Sequence, residues 1–504
     1  MRIGHNYMVK MKLLLPFALI SACLLQAQVV TSFEGISATA LSSPRLPIDP
    51  NGAVGTKQFM QWVNGYFQAY DKVTFSPVWT KPQSIGNLPW AANKMPNCAS
   101  IGVDTVILFD RLAQRWVVGG HTGSNYTYCV AISNTDDLTS STLSWYTYQF
   151  PLNSVLGVNS QGRPYYPDYT KLSTWLDAYY MTVDLEDPAQ GYIEIGVLAC
   201  ALDRTNMITG GTPNPMQCFS DPNPIPVHGT WYLGHSLNAA DVEGTTPPPQ
   251  GRDEFLASIE NPLNDGHTTT TNTMNLWDLH LDWVNPTNST FTKSVLSVPT
   301  YTPGCYNVAN IAYTICVPEP TFTKSSIHYH IDSVGDRIMG RLGYRNFGAY
   351  ESFLGTQTIR VGTGFDHQTA VSWFELRGSG VPNVYQTGSV NPDTTNYRFM
   401  PSIAQDKVGN AAVGYSVSSG LKVHPGIRTS WWNLPGNTSP TELVIKAGKG
   451  DELNSAKWGD YTSMTVDPVD GCTFWYVNEY FPVNQTSTLN WHTRIANFKL
   501  STCH

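Results

Sequence analysis

Apolar and polar positions alternate most clearly in one stretch of 23 residues, WGDYTSMTVDPVDGCTFWYVNEY, which runs from Trp458 to Tyr480. In its first half, Thr462, Met464 and Val466 fall on one face of a period-2 pattern. The DPVDG that follows has turn composition, because proline presets φ and glycine accepts a positive φ. The residues after the turn are aromatic and β-branched, as in a buried strand. The stretch therefore predicts a β-hairpin.

Weaker copies of this hairpin recur along the chain. Segments that match its second strand, which begins at Thr473, start at six earlier positions: Phe59, Arg115, Ala178, Glu254, Arg337 and Ala411. Successive starts are roughly 70 residues apart, which leaves room for four strands in each repeat. The pattern predicts an all-β chain that forms a single β-propeller of seven blades, each with four antiparallel strands. The alternatives are a six- or eight-bladed ring, a β-sandwich or a pair of β-sandwiches.

The ends of the chain suggest how such a ring would close. The last repeat supplies three strands, over residues 461–466, 473–480 and 491–500, so a four-stranded blade lacks one. Residues 31–39, TSFEGISAT, form a free extended segment near the N-terminus. We predict that this segment pairs beside residues 491–500, because an unpaired edge strand is a liability.

The N-terminus has the pattern of a secretion signal. Lys10 and Lys12 precede an apolar run from Leu13 to Leu25 that is too short for a permanent membrane span. We predict a signal peptide over residues 1–27 and one propeller domain over residues 28–504, secreted to the periplasm or the extracellular space. In an alternative interpretation, ISAC is a lipobox and Cys23 becomes a lipid-modified N-terminus. No later segment is apolar enough to span a membrane.

Composition and charge narrow the choice of partners. Only 13% of residues are charged and the formal net charge is −8, so no basic stripe is available for a polyanion. Nucleic acid is therefore not an expected partner, and we expect a monomer.

The cysteines favour an oxidising compartment. Eight of the nine lie beyond the leader, and an even number in an exported chain indicates disulfides. Sequence alone leaves the pairing open. The sequential set closes only local loops and is the simplest hypothesis: Cys98–Cys129, Cys200–Cys218, Cys305–Cys316 and Cys472–Cys503.

Several segments carry a resemblance to a known group of proteins. They are DPNGAVGTKQFMQWVN from Asp49, LFDRLAQRW from Leu108, DRIMGRLGYRNFG from Asp336, DKVGNAAVGYSVSS from Asp406 and the hairpin that begins with WGDY. With these segments the chain resembles secreted bacterial proteins that are similar in architecture to sialidase-type propellers. The resemblance covers nearly all of the mature chain. It implies export and a propeller-like fold, and it brings no activity to any residue.

The motifs of several enzyme classes are missing from the sequence. There is no HExxH, no Walker A loop and no dinucleotide-binding GxGxxG. GYSVS and GHSLN both lack the final glycine of a nucleophile elbow. The SxDxGxTW turn of true sialidases is also missing, which counts against a sialidase but not against a propeller.

One short segment has the spacing of a metal site. In a strand, His328, His330 and Asp332 would share a face, and two imidazoles with a carboxylate can hold a divalent ion. The alternative is an exposed polar strand face. The sequence requires no other cofactor, so a structural divalent metal is the one prediction of this kind.

Acidic residues near the starts of repeats offer a different chemistry. Asp168 in DYT and Asp460 in DYT occupy similar places in their repeats. Two carboxyl groups with different pKa values can act as general acid and base on a glycosidic bond. The alternative is that each aspartate caps a turn by accepting backbone hydrogen bonds.

Antiparallel pairing predicts which residues share one end of the ring. The start of each first strand and the end of each second strand lie opposite the tight turn, where ligand-binding loops gather. First-strand starts give Asp168, Tyr169, His328, Arg398, Trp458, Asp460 and Tyr461, and second-strand ends give Arg345, Glu351 and Glu479. Asp460 is the first candidate for an acid or base, followed by Asp168 and Glu479. Arg345 and Arg398 would position substrate, with Glu351, Tyr169, Trp458 and Tyr461 as further binding residues.

Two functions fit this face. The first is a secreted glycoside hydrolase with paired carboxylates that acts on an extracellular glycan. The second is a non-catalytic binding or adhesion propeller that presents the same aromatic and charged face. The expected partner is an extracellular polysaccharide or glycoconjugate; for the binding propeller, a protein is the alternative.

Overall fold

The computed structural model describes most of the chain. The described residues are 27–90, 92–123, 126–220, 236–260, 272–305, 315–321, 331–362, 368–433, 441–453, 455–483 and 489–504. Their one α-helix, α1, is a single turn (Arg204–Met207), and short 3-10 helices cover Ala38–Ala40, Ile85–Asn87, Pro96–Ser100, Pro188–Gln190 and Pro286–Asn288. Within these ranges, no helix is long and apolar enough to cross a membrane.

The first three blades are separate antiparallel sheets whose strands follow one another in sequence order. Blade one contains β2 (Asn51–Val54), β3 (Gln58–Val63), β4 (Tyr66–Asp71) and β5 (Gln83–Ser84). Blade two contains β6 (Val103–Asp110), β7 (Arg115–Thr122), β8 (Thr127–Ser133) and β9 (Trp145–Pro151). Blade three contains β10 (Tyr166–Thr174), β11 (Tyr179–Asp187), β12 (Ile193–Leu202) and β13 (Gln217–Ser220).

The next two blades are joined into one eight-stranded sheet. Blade four contains β14 (Asn238–Val242), β15 (Glu254–Glu260), β16 (Thr273–His280) and β17 (Thr290–Ser297). Blade five contains β20 (Met339–Asn346), β21 (Glu351–Val361), β22 (Gln368–Arg377) and β23 (Asn383–Val390). Their first strands, β14 and β20, pair in parallel, with Asp241 opposite Gly343. A two-stranded sheet of β18 (Ile315–Val317) and β19 (Ile331–Asp332) lies between the two blades in sequence.

The last two blades complete the ring. Blade six contains β24 (Tyr397–Gln405), β25 (Asn410–Ser418), β26 (Gly426–Asn433) and β27 (Thr441–Lys446). Blade seven contains β28 (Ser463–Val466), β29 (Thr473–Tyr480), β30 (His492–Leu500) and, as its outermost strand, β1 (Ala27–Ser37). β1 runs antiparallel to β30, with Phe33 opposite Ile495. The predicted closure by the N-terminal segment is therefore confirmed.

The first strands of the blades surround a central channel. Each contacts the next in the order β2, β6, β10, β14, β20, β24, β28 and back to β2. The described strands thus form seven four-stranded antiparallel groups, as the sequence predicted for a β-propeller. Burial follows the same geometry: β24 and β25 are buried at every position, whereas the outer strands β17 and β23 alternate between exposed and partly buried.

Six of the seven predicted second strands are confirmed, since the predicted starts fall at or within two residues of β3, β7, β11, β15, β25 and β29. The second strand that was predicted to start at Arg337 is wrong. Arg337 lies just before β20, which is the first strand of blade five, and the second strand of this blade is β21. Both strands are largely buried, so an apolar pattern does not distinguish them.

All four predicted disulfides are present. Cys98–Cys129, Cys200–Cys218, Cys305–Cys316 and Cys472–Cys503 have S–S distances of 1.98–2.08 Å. The last of these ties the C-terminal end of the chain to the start of β29, as expected.

Candidate active site at the channel mouth

Backbone irregularities shape one end of the channel. Near their starts, the first strands β6, β10, β20 and β24 each contain a register shift. Within each shift one residue has a positive φ: Asp104 (50°), Tyr169 (50°), Gly340 (70°) and Met400 (49°). Such a bulge adds a residue to one strand and re-aims the side chains around it. We call this end of the channel, where the first strands start, the mouth.

Two aspartates and a histidine meet at the mouth. Ligand atoms of Asp104, His121 and Asp168 all lie within 4.8 Å of one another. Asp104 Oδ2 is 3.3 Å from His121 Nε2 and accepts a hydrogen bond from the Tyr169 backbone N–H at 3.2 Å. A set of one imidazole and two carboxylates is also able to hold a divalent cation.

The two aspartates of this group have pKa values shifted in opposite directions. Burial favours the neutral form of both, but hydrogen bonding to His121 and its charge hold the pKa of Asp104 below its usual range. Burial, followed by the charge of Asp104, raises the pKa of Asp168 well above its usual range. The environment therefore pushes the pKa values of the two carboxyl groups apart, which is the arrangement used for acid–base chemistry.

Two further carboxyl groups near the mouth titrate close to neutral pH. Burial, aided by the charge of Asp184, raises the pKa of Glu186 to about 7. Burial raises the pKa of Asp184 to about 6, although Arg337 opposes the shift. Groups with pKa values near the working pH are the ones best suited to transfer protons.

Arg337 is held in place by three carboxylates. Its guanidinium donates to Asp184 at 2.7 Å, to Asp336 at 2.8 Å and to Glu194 at 3.3 Å. Its Cζ lies 4.7 Å from the ring centroid of Tyr169. The arginine therefore offsets part of the negative charge that gathers at this end of the channel.

Lys171 lies between two aromatic rings. Its Nζ is 3.8 Å from the ring centroid of Tyr169 and 3.9 Å from that of Tyr461, and the residue is 7% exposed. Cation–π attraction favours this position. Burial nevertheless lowers the pKa of Lys171 to about 8.

A group of tyrosines forms a wall beside the aspartates. The ring of Tyr166 makes edge-to-face contacts with His121 and Tyr126 at 6.1 Å and with Tyr192 at 5.6 Å. Tyr192 is 55% exposed. An exposed aromatic ring supported by other rings is a suitable surface for the apolar face of a sugar.

Four residues predicted from the sequence converge at the mouth: Asp168, Tyr169, Asp460 and Tyr461. Tyr169 Oη donates to the backbone oxygen of Asp460 at 3.5 Å, and its ring lies 5.5 Å from that of Tyr461. The carboxylate of Asp460 is buried and lies 4.0 Å from Lys457 Nζ.

Glu479 and Trp458 lie at the same end but are buried. Burial raises the pKa of Glu479 well above its usual range, although the Gly459 N–H donates to its carboxylate. Trp458 Nε1 donates to Ser416 Oγ at 3.0 Å and its ring packs 5.5 Å from Phe481. These contacts give Trp458 a packing role in this structure.

The predicted position of Arg345 and Glu351 is wrong. Arg345 lies near the end of β20 and Glu351 starts β21, so both flank the hairpin turn at the opposite end of the channel from Asp168 and Asp460. Arg345 Nε donates to the Gln405 backbone oxygen at 2.9 Å, and Glu351 accepts from Arg252 at 3.1 Å. The error follows from the wrong strand assignment in blade five.

Arg398 starts β24 as predicted, but its side chain does not reach the mouth. It is fully buried and donates to Glu442 at 2.7 Å and to Asp393 at 2.5 Å. Glu442 belongs to the outermost strand of blade six, so the guanidinium points away from the channel. The geometry contradicts the proposed substrate-positioning role.

The predicted metal segment is only partly described. His328 and His330 lie outside the described residues, so the prediction of a metal there stays a prediction. Asp332 belongs to β19, is buried, and accepts a hydrogen bond from the Val334 N–H at 2.8 Å.

Asp104, His121, Glu186 and Lys171 are among the residues of the mouth that sequence reasoning missed. Asp104 lies near the start of β6, His121 near the end of β7 and Glu186 near the end of β11. The same strand-end rule, applied to every repeat, would have found these three. Lys171 has no such signal, because its environment depends on a tyrosine from blade seven.

Beyond the mouth the channel is narrow. The cavity on the propeller axis has a volume of about 50 Å³ and is lined by residues of six first strands or their flanks, Lys171 and Tyr461 among them. A hexose ring does not fit in this volume. A glycan would therefore remain at the mouth.

The fold and this mouth define the chain as a β-propeller with a candidate active site at one end of its channel. No family model matches the sequence, and comparison with curated proteins finds no relative.

Among solved structures, the chain is similar to the α-L-arabinanase of Penicillium chrysogenum complexed with arabinobiose, at 8% identity over 92% of this chain and 98% of that chain, with a TM-score of 0.35. It is similar to an endo-arabinase from Bacteroides thetaiotaomicron VPI-5482, at 12% identity over 68% and 93% of the two chains, with a TM-score of 0.29. It is also similar to the N10 neuraminidase-like protein of A/little yellow-shouldered bat/Guatemala/060/2010, at 9% identity over 78% and 98%, with a TM-score of 0.36. Likenesses of this size concern architecture and say nothing about substrate.

Proposed function

We propose that this protein is a secreted hydrolase that cleaves an extracellular glycan at the mouth of the propeller channel. The observation that carries the proposal is the pair Asp104 and Asp168, whose pKa values are shifted in opposite directions beside the exposed ring of Tyr192. A protonated acid next to a carboxylate and an aromatic surface is the set of groups that glycosidic bond cleavage needs.

The roles follow from the directions of the two pKa shifts. Asp168, whose pKa is raised, donates its proton to the glycosidic oxygen. Asp104 stays ionised and stabilises the positive charge that develops on the sugar ring in the transition state. Asp460, whose carboxylate lies 4.0 Å from Lys457, is the group that would take a proton from the attacking water.

Binding would use the tyrosine wall and the shape of the channel. A sugar ring stacks on Tyr192, which Tyr166 supports from the side. The narrow cavity prevents deeper entry, so the chain of sugars lies across the mouth rather than through the ring. The four disulfides suit an oxidising compartment, where such polysaccharides occur.

The test is a panel of plant and bacterial polysaccharides, assayed both for release of reducing ends and for binding. With a substrate found, Asp168→Asn should lower kcat by roughly 10²–10⁴-fold while binding persists, because the proton donor is lost. Asp71→Asn, at the end of β4, where the carboxylate accepts a hydrogen bond from the Thr74 N–H of the following turn, is the matched control and should retain full activity. Unchanged kcat in Asp168→Asn would contradict the proposed acid.

A non-catalytic glycan-binding propeller is the second candidate. It is favoured by the burial of Asp460 and Glu479, which limits their access to a substrate. In that case the wild-type protein would bind a polysaccharide without releasing sugar, and Tyr192→Ala would weaken binding while Asp168→Asn would not.

A further inference from the structure

The cavity on the propeller axis has an unusual excess of hydrogen-bond donors. Its volume of about 50 Å³ is enough for a few water molecules or for one ion of halide size. Five of its lining side chains carry a buried polar atom to which no described residue hydrogen-bonds: Lys171 Nζ, Ser173 Oγ, Arg341 Nε, Tyr461 Oη and Thr465 Oγ1. The ammonium and guanidinium groups can only donate, and the three hydroxyls are able to donate.

The negative charge that lines the cavity already accepts hydrogen bonds from other groups. Among the described lining residues, the one carboxylate is that of Asp241. Its Oδ1 accepts from the Thr174 N–H at 3.0 Å and its Oδ2 accepts from Arg341 at 2.5 Å. Asp241 therefore does not satisfy the spare donors.

Four cations lie from Lys171 towards the turn end of the channel. Arg111, Arg341 and Arg345 lie around Glu243 and Asp241, with Arg341 2.8 Å and Arg111 3.9 Å from the Glu243 carboxylate. The charge of Asp406 acts on Arg345 as well, so the three arginines have carboxylate partners, and Lys171 adds a further cation. In the described part of the chain, Lys171 forms no ion pair within 4 Å; Asp460 and Asp104 of the mouth act on it only at longer range.

The pKa values of these cations are shifted in different directions. Although burial opposes it, the charges of Asp241 and Glu243 raise the pKa of Arg341, whereas the pKa values of Lys171 and Arg111 are lowered. Burial lowers the pKa of Lys171 to about 8. Burial, together with repulsion from Arg341 and Arg345, lowers the pKa of Arg111 to about 10 although Glu243 opposes the shift. Both cations are less stable in their charged form than they would be in water, so a neighbouring anion would stabilise them.

We propose that this cavity binds one monovalent anion of halide size, held by Lys171 Nζ and the hydroxyls of Ser173 and Thr465. Water could satisfy the same donors but would leave the buried ammonium group of Lys171 without an ion-pair partner. The volume excludes a whole sugar acid, and the ammonium group disfavours a metal cation. This inference does not depend on the proposed glycan hydrolysis.

The test combines crystallography with thermal unfolding of the full chain. In crystals grown with sodium bromide, an anomalous bromide peak is expected within hydrogen-bonding distance of Lys171 Nζ. In solution, the melting temperature in bromide should exceed that in gluconate at equal ionic strength by roughly 1–3 °C, because an anion that binds only the folded state stabilises it.

Variants make the test specific. Lys171→Met and Thr465→Val should abolish the bromide response, and Ser173→Ala should weaken it. Lys57→Met, at an exposed lysine paired with Asp137, should keep the full response. If Lys171→Met does not fold, the two hydroxyl variants decide the question. A cavity that contains only water, equal melting in both salts, or an unchanged response in Thr465→Val would overturn the proposal.

Discussion

Gln61 and Thr493, which are 432 positions apart, join the first blade to the last. Gln61 Nε2 donates to Thr493 Oγ1 at 2.7 Å, while Gln61 Oε1 accepts the Ile36 N–H at 3.0 Å. The Thr493 hydroxyl in turn donates to the Ile36 backbone oxygen at 2.7 Å. The closing strand β1 is therefore tied to blade one as well as to β30.

The first prediction concerns this closure. Ile36→Ala should lower the free energy of unfolding by about 2–4 kcal/mol, because the side chain is 1% exposed and its loss leaves a cavity. Val30→Ala on the same strand, at 37% exposure, should cost less than about 1 kcal/mol. Urea unfolding of both variants measures the difference, and equal losses would show that β1 does not stabilise the ring through its buried face.

A second prediction ranks two disulfides. Replacing both cysteines of Cys472–Cys503 by serine should destabilise the protein by about 1 kcal/mol more than the same change in Cys305–Cys316. The sequence separations are 31 and 11, and a crosslink that closes a longer loop restricts the unfolded chain more. Chemical denaturation of the two double variants under non-reducing conditions provides the measurement. A larger loss of stability for Cys305–Cys316 than for Cys472–Cys503 would contradict the explanation by loop entropy.

A third prediction is a change of stability with pH. The folded protein raises the pKa of Glu186 from 4.5 to about 7, so the folded state holds this proton more tightly than the unfolded state. The resulting stability is fully present below about pH 4.5 and is lost as the pH rises through about 7. Wild-type stability should fall over this window, and Glu186→Gln should fall less steeply.

The control for this pH effect is Asp71→Asn. The pKa of Asp71 is lowered, chiefly by the hydrogen bond from the Thr74 N–H, so its contribution is lost only at acid pH. For this variant, the slope of the unfolding free energy against pH between about pH 5 and pH 7 should match that of the wild type. Parallel slopes for Glu186→Gln and wild type would argue against a raised pKa at Glu186.

A fourth prediction concerns the coupling of Asp104 and Asp168. Asp104→Asn should lower the pKa of Asp168, because the charge of Asp104 raises it. His121→Phe should raise the pKa of Asp104, because the hydrogen bond to His121 and its charge lower it. Carboxyl-carbon NMR titrations of the labelled aspartates would show both shifts. Independent titration of the two groups would exclude the proposed acid–carboxylate pair.

Much of the fold could be predicted from sequence because the signals are local. The hairpin after Trp458 repeats with a recognisable second strand, and each disulfide closes a short loop. The prediction for blade five was wrong because β20 and β21 are both largely buried. The apolar pattern therefore does not show which of the two is the inner strand.

The site was predictable only where strand order alone determines position. Asp168 and Asp460 were predicted from the rule that first strands start, and second strands end, at the mouth. Asp104 and His121 follow the same rule. Lys171 did not, since its significance depends on Tyr461, a residue 290 positions away that packs on its ammonium group. Burial and charge balance of this kind arise from tertiary packing and leave no local pattern.

The parallel pairing of β14 with β20 makes the ring unequal around its circumference. Among the described strands, this is the one junction at which neighbouring blades pair in a strand ladder; between blades six and seven, by contrast, single backbone hydrogen bonds join loops, as from the Lys407 N–H to the Gly471 oxygen at 2.8 Å. Separating blades four and five thus requires breaking a ladder in addition to a packed interface. In native-state hydrogen exchange, their strands should behave as one cooperative unit of eight, and the ring should open first at a different junction.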